Sequence, residues 1–420
     1  MAVWIFHLVV IMTMQSSADG FSGEFFEKVL GLEVFDTHTH LIGGKLAARD
    51  FWEIGEYFWL KEELIAAGYP PDAETLPEEH RCEAYARAFA ATRNTSMNTV
   101  TRAIFRDLYD VEITDAASIG RADRLVKESS ARARWPEEVV DRLRILRMVV
   151  NREEHAPFPE LPGRGLWFPR IDDLLNKRLA EIREKGGRRG DIIQAGEELA
   201  ALVAESAAKG APGVMSTLPG MAGPVPESLQ QSVDGLAAEG NSPDQALGHC
   251  LHRVCEAAGR AGVFCQLFLG IERGKYGRAV PVSDPLRLLH LYGLFVAHDC
   301  AFELVLGSDI NNLDAVQTAR LFPHVRVGGL WWYNFRVSSF YDCMQKRFEA
   351  LPAGRSAFVV SDARCIEWCY GKIWLIKRVT ADFLAGQIRR GMVSEEDALA
   401  CAAEWLHDAP TRWYAGGGAK

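Results

Sequence analysis

Two histidines separated by one residue give this sequence its clearest chemical signal. His38 and His40 stand in "VFDTHTHLIG", residues 34–43, directly after apolar residues. In an extended strand, residues two apart project from the same face, so both imidazoles would point together, with Asp36 below them. Two imidazoles at that spacing reach one divalent ion at about 2.0–2.1 Å. Ordinary core or surface histidines are the alternative, and the pair alone does not decide between them.

A carboxylate far along the chain could complete such a site. Asp362 follows the apolar run "AFVV", residues 357–360, at a point typical of a strand that meets its active-site loop. A His/His/Asp set leaves positions open for water or substrate, as catalytic metal sites do. Arg364 lies two residues further on, where it could bind a substrate anion or form a salt bridge at the rim.

Eight short, apolar, β-rich runs alternate with helical stretches, and this alternation predicts a parallel sheet buried on both faces. The runs are residues 33–41, 145–150, 166–168, 213–216, 263–269, 302–306, 325–332 and 357–360. We therefore predict an α/β fold, a (β/α)8 TIM-like barrel with a helical insertion after the first strand. In such barrels the chemistry gathers at the carboxyl ends of the strands.

The chain divides into four predicted segments, of which the third has apolar residues at helical spacing. They are an N-terminal helical segment (1–32), the first strand and loop (33–44), a helical insertion covering the barrel mouth (45–143), and the rest of the barrel with C-terminal helices (144–420). The apolar stretch at the start is shorter than a membrane span, and its first basic residue is Lys28. We interpret it as a packed helix or an upstream start, with a secretion signal as the alternative.

Composition narrows the function classes. The formal net charge of -9 argues against a nucleic-acid partner but allows a small anionic substrate in a locally basic pocket. The nine cysteines form no CxxC pair, which favours reduced thiols in the core of a cytoplasmic protein. No membrane partner is expected, and a homo-oligomer is compatible with the sequence.

Longer stretches resemble the uronate isomerase (glucuronate isomerase) family of the metal-dependent amidohydrolase superfamily. "VFDTHTHL" is similar to the first strand of that family, and "FPRIDD" (168–173) stands where it has Trp-Arg-Pro-Asp. "VGGLWWYNF" (327–335) resembles its Gly-Trp-Trp-Phe-Asn motif, and "VVSDAR" (359–364) its Thr-Asp-Ser-Arg. The likeness runs over most of the chain from Phe35 onward.

The resemblance implies an aldose–ketose isomerisation of a hexuronate, such as glucuronate or galacturonate. A proton would move between C2 and C1 with the help of one divalent metal ion, zinc or manganese. His38, His40 and Asp362 match the family's metal ligands, and Asp362 also matches its proposed proton shuttle.

The resemblance also assigns the groups that hold the substrate. Arg170 and Arg364 match arginines that bind the carboxylate and oxygens of the sugar acid, and Arg364 also belongs to the predicted catalytic pair with Asp362. Guanidinium groups suit this role because they bind a carboxylate with two parallel hydrogen bonds. Trp331 and Trp332 could form an apolar wall for the sugar ring, with core packing as the alternative.

The sequence departs from the family pattern at three places. The family's Asp-His-Tyr segment is not found beside Trp59, Phe268 stands at its fifth-strand histidine, and residues 215–217 replace its Ser-Asp-His. Three functions therefore stay open. They are an isomerase of a uronate or related sugar acid, a metal-dependent hydrolase of an ester, lactone or amide, and a ligand-binding barrel without catalysis.

Overall fold

The computed structural model describes residues 20–41, 44–152, 161–217, 223–275, 278–281 and 288–415. Most of the predicted N-terminal segment, residues 1–19, lies outside these ranges. From Gly20 onward the chain forms a helix, α1 (Gly20–Leu30), that leads into the first strand.

The sheet is built from parallel strands whose residues are mostly buried, as the apolar runs predict. The strands of the barrel are β1 (Val34–Thr39), β2 (Ile145–Arg152), β3 (Gly165–Pro169), β4 (Gly213–Ser216), β5 (Phe264–Leu269), β8 (Phe302–Leu306) and β9 (Val325–Leu330). Two further strands, β6 (Ile271–Lys275) and β7 (Arg278–Pro281), form an antiparallel hairpin directly after β5. The sequence did not predict this hairpin.

Hydrogen bonds join the strands into a closed ring. The ladders run β1-β2-β3 and β4-β5-β8-β9, and a parallel bridge between Arg170 and Met215 connects them. The remaining gap is filled by residues 356–363, the closing segment. It pairs with β9 through a bridge between Val327 and Ser356.

The other edge of the closing segment pairs with β1. The Thr37 amide donates to the Val359 carbonyl (3.0 Å), and the Asp362 amide donates to the His38 carbonyl (3.0 Å). The predicted (β/α)8 barrel is therefore confirmed. The closing segment occupies the position of the eighth strand, between β9 and β1. First and last strands lie side by side, which brings residues from the two ends of the sequence together.

Helices fill the interval between β1 and β2. They are α2 (Phe51–Gly55), α3 (Phe58–Ala66), α4 (Glu78–Ala91), α5 (Ser96–Tyr109), α6 (Ala116–Ser130) and α7 (Trp135–Arg142). The buried Glu367 carboxylate fastens this insertion to the barrel, because it accepts hydrogen bonds from Trp135 Nε1 (2.8 Å), the Tyr109 hydroxyl (3.1 Å) and the Ala48 amide (2.9 Å). The bounds of the four predicted segments stay a prediction.

The remaining helices follow the later strands. They are α8 (Asp172–Glu184), α9 (Arg189–Ala208), α10 (Leu229–Asp234), α11 (Pro243–Ala261), α12 (Tyr292–Ala297), α13 (Asn312–Leu321), α14 (Val337–Ala350), α15 (Ile366–Arg389), α16 (Glu395–Ala403) and α17 (Ala409–Ala415). Within the described ranges, no helix combines the length and the apolar character that a membrane crossing requires.

Local sequence signals set the ends of α11, the helix that precedes β5. Ser242 accepts a hydrogen bond from the Gln245 amide while the Gln245 side chain accepts one from the Ser242 amide, and Pro243 opens the first turn. The helix ends at Gly262, whose φ of 68° suits a residue without a Cβ atom.

Candidate metal centre

The closed barrel brings His38, His40 and Asp362 to one point. The Nε2 atoms of the two imidazoles are 3.2 Å apart. Asp362 Oδ1 lies 3.1 Å from His40 Nε2 and 3.5 Å from His38 Nε2. Three atoms that could ligate a metal, from residues near opposite ends of the sequence, therefore face each other.

These distances fit a divalent metal ion. Zinc–nitrogen bonds of about 2.0–2.1 Å in a tetrahedral site place two ligand nitrogens about 3.3 Å apart. The observed separations of 3.1–3.5 Å match that spacing. Two imidazoles and one carboxylate are also a ligand set of catalytic zinc sites, in which a further position stays open.

The backbone holds the three candidate ligands in register at the carboxyl end of the barrel. His38 lies in β1, His40 follows that strand, and Asp362 lies in the closing segment beside it. The His40 amide donates to the Ala363 carbonyl at 2.8 Å. Asp362 adopts φ 49°, in the left-handed region that aspartate tolerates better than most residues.

Burial and neighbouring groups shift the pKa values of His38 and Asp362. Burial lowers the pKa of His38 to about 4, so its imidazole is neutral at pH 7. Burial alone would raise the pKa of Asp362, but hydrogen bonds from His38 and His40 outweigh it and lower that pKa. The His40 side chain is 33% exposed, whereas those of the other two are at most 5% exposed, so the centre opens to solvent on the His40 side.

A second carboxylate supports the centre from below. Asp36 Oδ1 accepts hydrogen bonds from the Ser361 amide (3.0 Å) and the His38 amide (3.3 Å). It thereby links β1 to the closing segment. Complete burial raises the pKa of Asp36 to about 7.

Tyr57 and Lys372 form a hydrogen-bond chain that ends on the backbone of Asp362. The Tyr57 hydroxyl donates to the main-chain carbonyl of Asp362 (2.9 Å), and Lys372 Nζ donates to the Tyr57 hydroxyl oxygen (2.8 Å). The Lys372 ammonium also lies 3.5 Å from the centre of the Trp59 ring. Burial lowers the pKa of Lys372 to about 7, although Asp362 acts in the opposite direction.

Arg170, the first predicted substrate arginine, follows β3 at the same end of the barrel. Its Nε donates to Asp172 Oδ2 (2.9 Å), and its Nη2 donates to Thr217 Oγ1 (3.2 Å). Asp172 is itself buried and accepts hydrogen bonds from the Ser216 hydroxyl (2.6 Å) and the Thr217 amide. The guanidinium is thus held on one edge, while the side chain stays 24% exposed.

Arg364, the second predicted arginine, is exposed and held differently. Its guanidinium lies over the Phe58 ring, 4.9 Å from the ring centre. Phe58 opens α3, so a residue of the helical insertion supports a side chain from the closing segment.

Aromatic residues line the centre on another side. The Phe268 ring lies 4.4 Å from the His38 ring and 4.9 Å from the Trp331 ring, measured between ring centres. Trp331 is buried, and Trp332 contacts Phe58 at 5.8 Å. Phe268 thus packs against a ligand in the place where the resemblance implies a histidine.

Sequence reasoning missed Tyr57, Lys372 and Asp172. Tyr57 stands two residues before Trp59, where the family pattern indicated a deletion, so its position beside "WL" was an available signal. Asp172 stands two residues after Arg170, in the quoted "FPRIDD" stretch. Lys372 lies inside a helix and carries no comparable local signal.

Comparison with solved structures supports the fold. A uronate isomerase from Thermotoga maritima superposes with a TM-score of 0.73 and 13% identity over 94% of this chain and 97% of that one. A uronate isomerase from Bacillus halodurans gives 0.71 and 16% over 96% and 97%. A protein from Lactobacillus casei, provisionally described as a metal-dependent hydrolase, gives 0.61 and 15% over 93% and 97%.

No protein-family model matches the chain, and no curated protein matches it in sequence. The similarity is therefore carried by structure, at identities of 13–16%. It confirms at the level of the fold the likeness to uronate isomerases. The reaction has to be argued from the residues of the centre.

Proposed function

We propose that this protein is a metal-dependent isomerase that interconverts the aldose and ketose forms of a hexuronate. The observation that carries the proposal is the convergence of His38, His40 and Asp362 at the carboxyl end of the barrel, the end at which Arg170 also lies. Full-length structural likeness to uronate isomerases supports the same reaction class. The substrate would be a small anionic sugar acid, and we expect the enzyme to act in the cytoplasm.

The metal ion is the first component of this proposal. One divalent ion, zinc or manganese, would be held by His38, His40 and Asp362 and would polarise substrate oxygens when bound. Two neutral imidazoles and one carboxylate contribute a single negative charge. The loaded centre would therefore be positive and attract an anionic substrate despite the negative charge of the whole protein.

The arginines would orient the sugar acid. Arg170 keeps part of its guanidinium free because Asp172 and Thr217 engage only Nε and Nη2. The free donors could hold the substrate carboxylate, and Arg364 could bind its oxygens from the opposite rim. Charge-assisted bonds of this kind each contribute about 1.5–3 kcal/mol.

Asp362 would move the proton. Its carboxylate would accept the proton from C2 of the aldose and return it to C1, while the hydroxyl proton of O2 passes to O1. Substrate and product then differ only in the positions of two hydrogens, so no oxidant or reductant is needed. A positioned acid–base group of this kind contributes about 10²–10⁴-fold to a rate.

The test uses the purified full-length chain loaded with zinc or with manganese and incubated with D-glucuronate and D-galacturonate. We expect ketose to form from at least one acid, and deuterium placed at C2 of the aldose should appear at C1 of the ketose. His38→Ala should abolish this activity, whereas His80→Ala, at an exposed histidine of the insertion, should retain it. Metal-replete protein that forms no ketose from either acid would contradict the proposal.

A hydrolase is the second candidate, favoured by the likeness to the Lactobacillus casei protein. Asp362 would then act as the base that activates a water molecule for attack on an ester, lactone or amide. Release of acid from model lactones and esters, with no ketose from uronates, would select this function. Bound metal with neither activity would select a ligand-binding barrel without catalysis.

A further inference from the structure

Three cysteines meet at the opposite end of the barrel from the His/His/Asp centre. Cys265 is the second residue of β5, Cys300 lies two residues before β8 begins, and Cys255 lies on α11. These positions belong to the amino ends of the strands. The three sulfur atoms all lie within 4.8 Å of one another.

The fold holds these thiols in fixed relation. In the parallel ladder Cys265 pairs with Phe302, and the Cys265 amide donates to the Ala301 carbonyl at 2.9 Å. Cys300 is therefore anchored one residue from that hydrogen bond. Cys255 joins them because α11 turns directly into β5, with the Val263 amide donating to the Ala258 carbonyl at 3.0 Å.

We propose that Cys255, Cys265 and Cys300 form a second metal site, for a soft, thiolate-binding cation of the Zn(II) and Cu(I) class. Zinc–sulfur bonds of about 2.3 Å in a tetrahedral site place two sulfurs about 3.8 Å apart, which is within the observed separation. Thiolate ligands select such soft ions over the harder cations that oxygen ligands prefer.

The ligand set defines the kind of ion more closely. Among the residues that the structure describes, no fourth histidine, cysteine or acidic side chain joins this group. The site would hold a three-coordinate ion directly, or a four-coordinate ion that keeps one external ligand. Binding a divalent cation would release the three thiol protons and leave one net negative charge, a smaller desolvation cost than three separate thiolates.

The surroundings agree with a closed site. The three side chains belong to the buried core, with exposures of 1% for Cys255, 2% for Cys265 and 4% for Cys300. Two imidazoles lie next to them in sequence, His252 one helical turn before Cys255 and His298 two residues before Cys300. His252 Nδ1 and His298 Nε2 are 2.9 Å apart, and His252 Nε2 lies 2.9 Å from the Pro226 carbonyl. These imidazoles are engaged with each other and are not part of the ligand group.

The test uses cadmium(II) as the probe on the reduced full-length protein, because sulfur ligation gives cadmium an ultraviolet charge-transfer band that nitrogen and oxygen ligands do not give. We expect one sulfur-bound cadmium per chain. Cys255→Ala, Cys265→Ala and Cys300→Ala should each lose the band or weaken binding by at least about 10-fold. The matched control is Cys250→Ala, at a buried cysteine on the same helix, which should retain it.

A second measurement keeps the proposal testable where a variant does not fold. X-ray absorption at the cadmium edge of the wild-type protein should show sulfur neighbours. A nitrogen and oxygen environment alone would overturn the proposal. So would a charge-transfer band that survives in all three folded variants. Because the sulfur signal is independent of uronate turnover, its failure leaves the proposed isomerase unaffected.

Discussion

The two ends of the barrel carry two clusters of candidate ligands with opposite character. At the carboxyl end, His38, His40 and Asp362 offer nitrogen and oxygen, and one ligand is open to solvent. At the amino end, Cys255, Cys265 and Cys300 offer sulfur alone and are almost fully buried. The same closed barrel positions both clusters, through two different strand ladders.

The difference in exposure between the two clusters suggests a reactive role for the open one and a structural role for the buried one. An open centre leaves room for a substrate, and under the proposed function Arg170 and Arg364 would bind its anionic group. A closed thiolate site has no such room, so a bound ion there would stabilise the junction of α11, β5 and β8. This division agrees with the general behaviour of barrels, in which the carboxyl end carries the chemistry and the amino end the stability.

The largest expected effect comes from Asp362→Asn. Asparagine keeps the size of the side chain and tolerates the left-handed backbone at this position, so the fold should survive. Ketose formation should fall by about 10³-fold through loss of the acid–base group. The cadmium–sulfur band should stay unchanged. If the folded variant lost both ketose formation and the cadmium–sulfur band, the two ends of the barrel would be coupled and not independent.

The second effect is a pH dependence of stability that comes from Glu303, a buried carboxyl in the barrel interior between the two ends. Burial raises the pKa of Glu303 to about 7, although the Tyr414 hydroxyl and Gln266 donate hydrogen bonds that oppose the shift. The folded protein thus keeps a proton that the unfolded chain loses above its ordinary value of 4.5. The free energy of unfolding should therefore fall by up to about 3 kcal/mol between pH 4.5 and 7.

Glu303→Gln tests this interior term, because glutamine imitates the protonated acid. Urea unfolding at several pH values should show a shallower decline for the variant over that window. Glu112→Gln, at an exposed carboxylate, should keep the wild-type slope. An unchanged slope in Glu303→Gln would show that the Glu303 carboxyl does not carry the proton.

The third effect tests substrate orientation at the open end. Arg170→Lys keeps the positive charge but loses the planar group that Asp172 and Thr217 hold. KM for the uronate should rise by about 10–100-fold, the value of one charge-assisted hydrogen bond. Steady-state kinetics measures it, with Arg183→Lys on the exposed face of α8 as the control. An unchanged KM would remove Arg170 from the substrate site.

The smallest effect is expected at the other arginine. Arg364→Lys keeps the charge over the Phe58 ring and loses the stacked geometry, a change worth about 0.5–1 kcal/mol. KM should rise by about 2–5-fold. An increase in KM as large as that of Arg170→Lys would mean that Arg364 contributes as much to substrate binding as Arg170.

Much of the fold could be predicted from the sequence because buried parallel strands leave a direct record. Each strand is a short apolar run, and the polar residues that follow lie at one end of the barrel. This rule was enough to place His38, His40 and Asp362 near one another. It could not show that β6 and β7 form a hairpin, because that pairing depends on an irregular antiparallel register.

The rest depended on contacts between distant elements. Lys372 reaches Tyr57 from the middle of a helix, and no periodic pattern distinguishes it from a surface lysine. The three cysteines come from a helix, a strand and a loop, so they lack the short spacing that marks a zinc motif. Only the closed barrel brings such residues together.

The hydrogen bond from Tyr57 to the Asp362 carbonyl has a consequence for protein engineering. One partner belongs to the helices after β1, and the other belongs to the eighth barrel position. A chimera that takes these helices from a relative, or a variant that lacks them, would also change the hydrogen bond that holds the backbone of Asp362. The insertion and the last strand therefore have to be exchanged as a single unit.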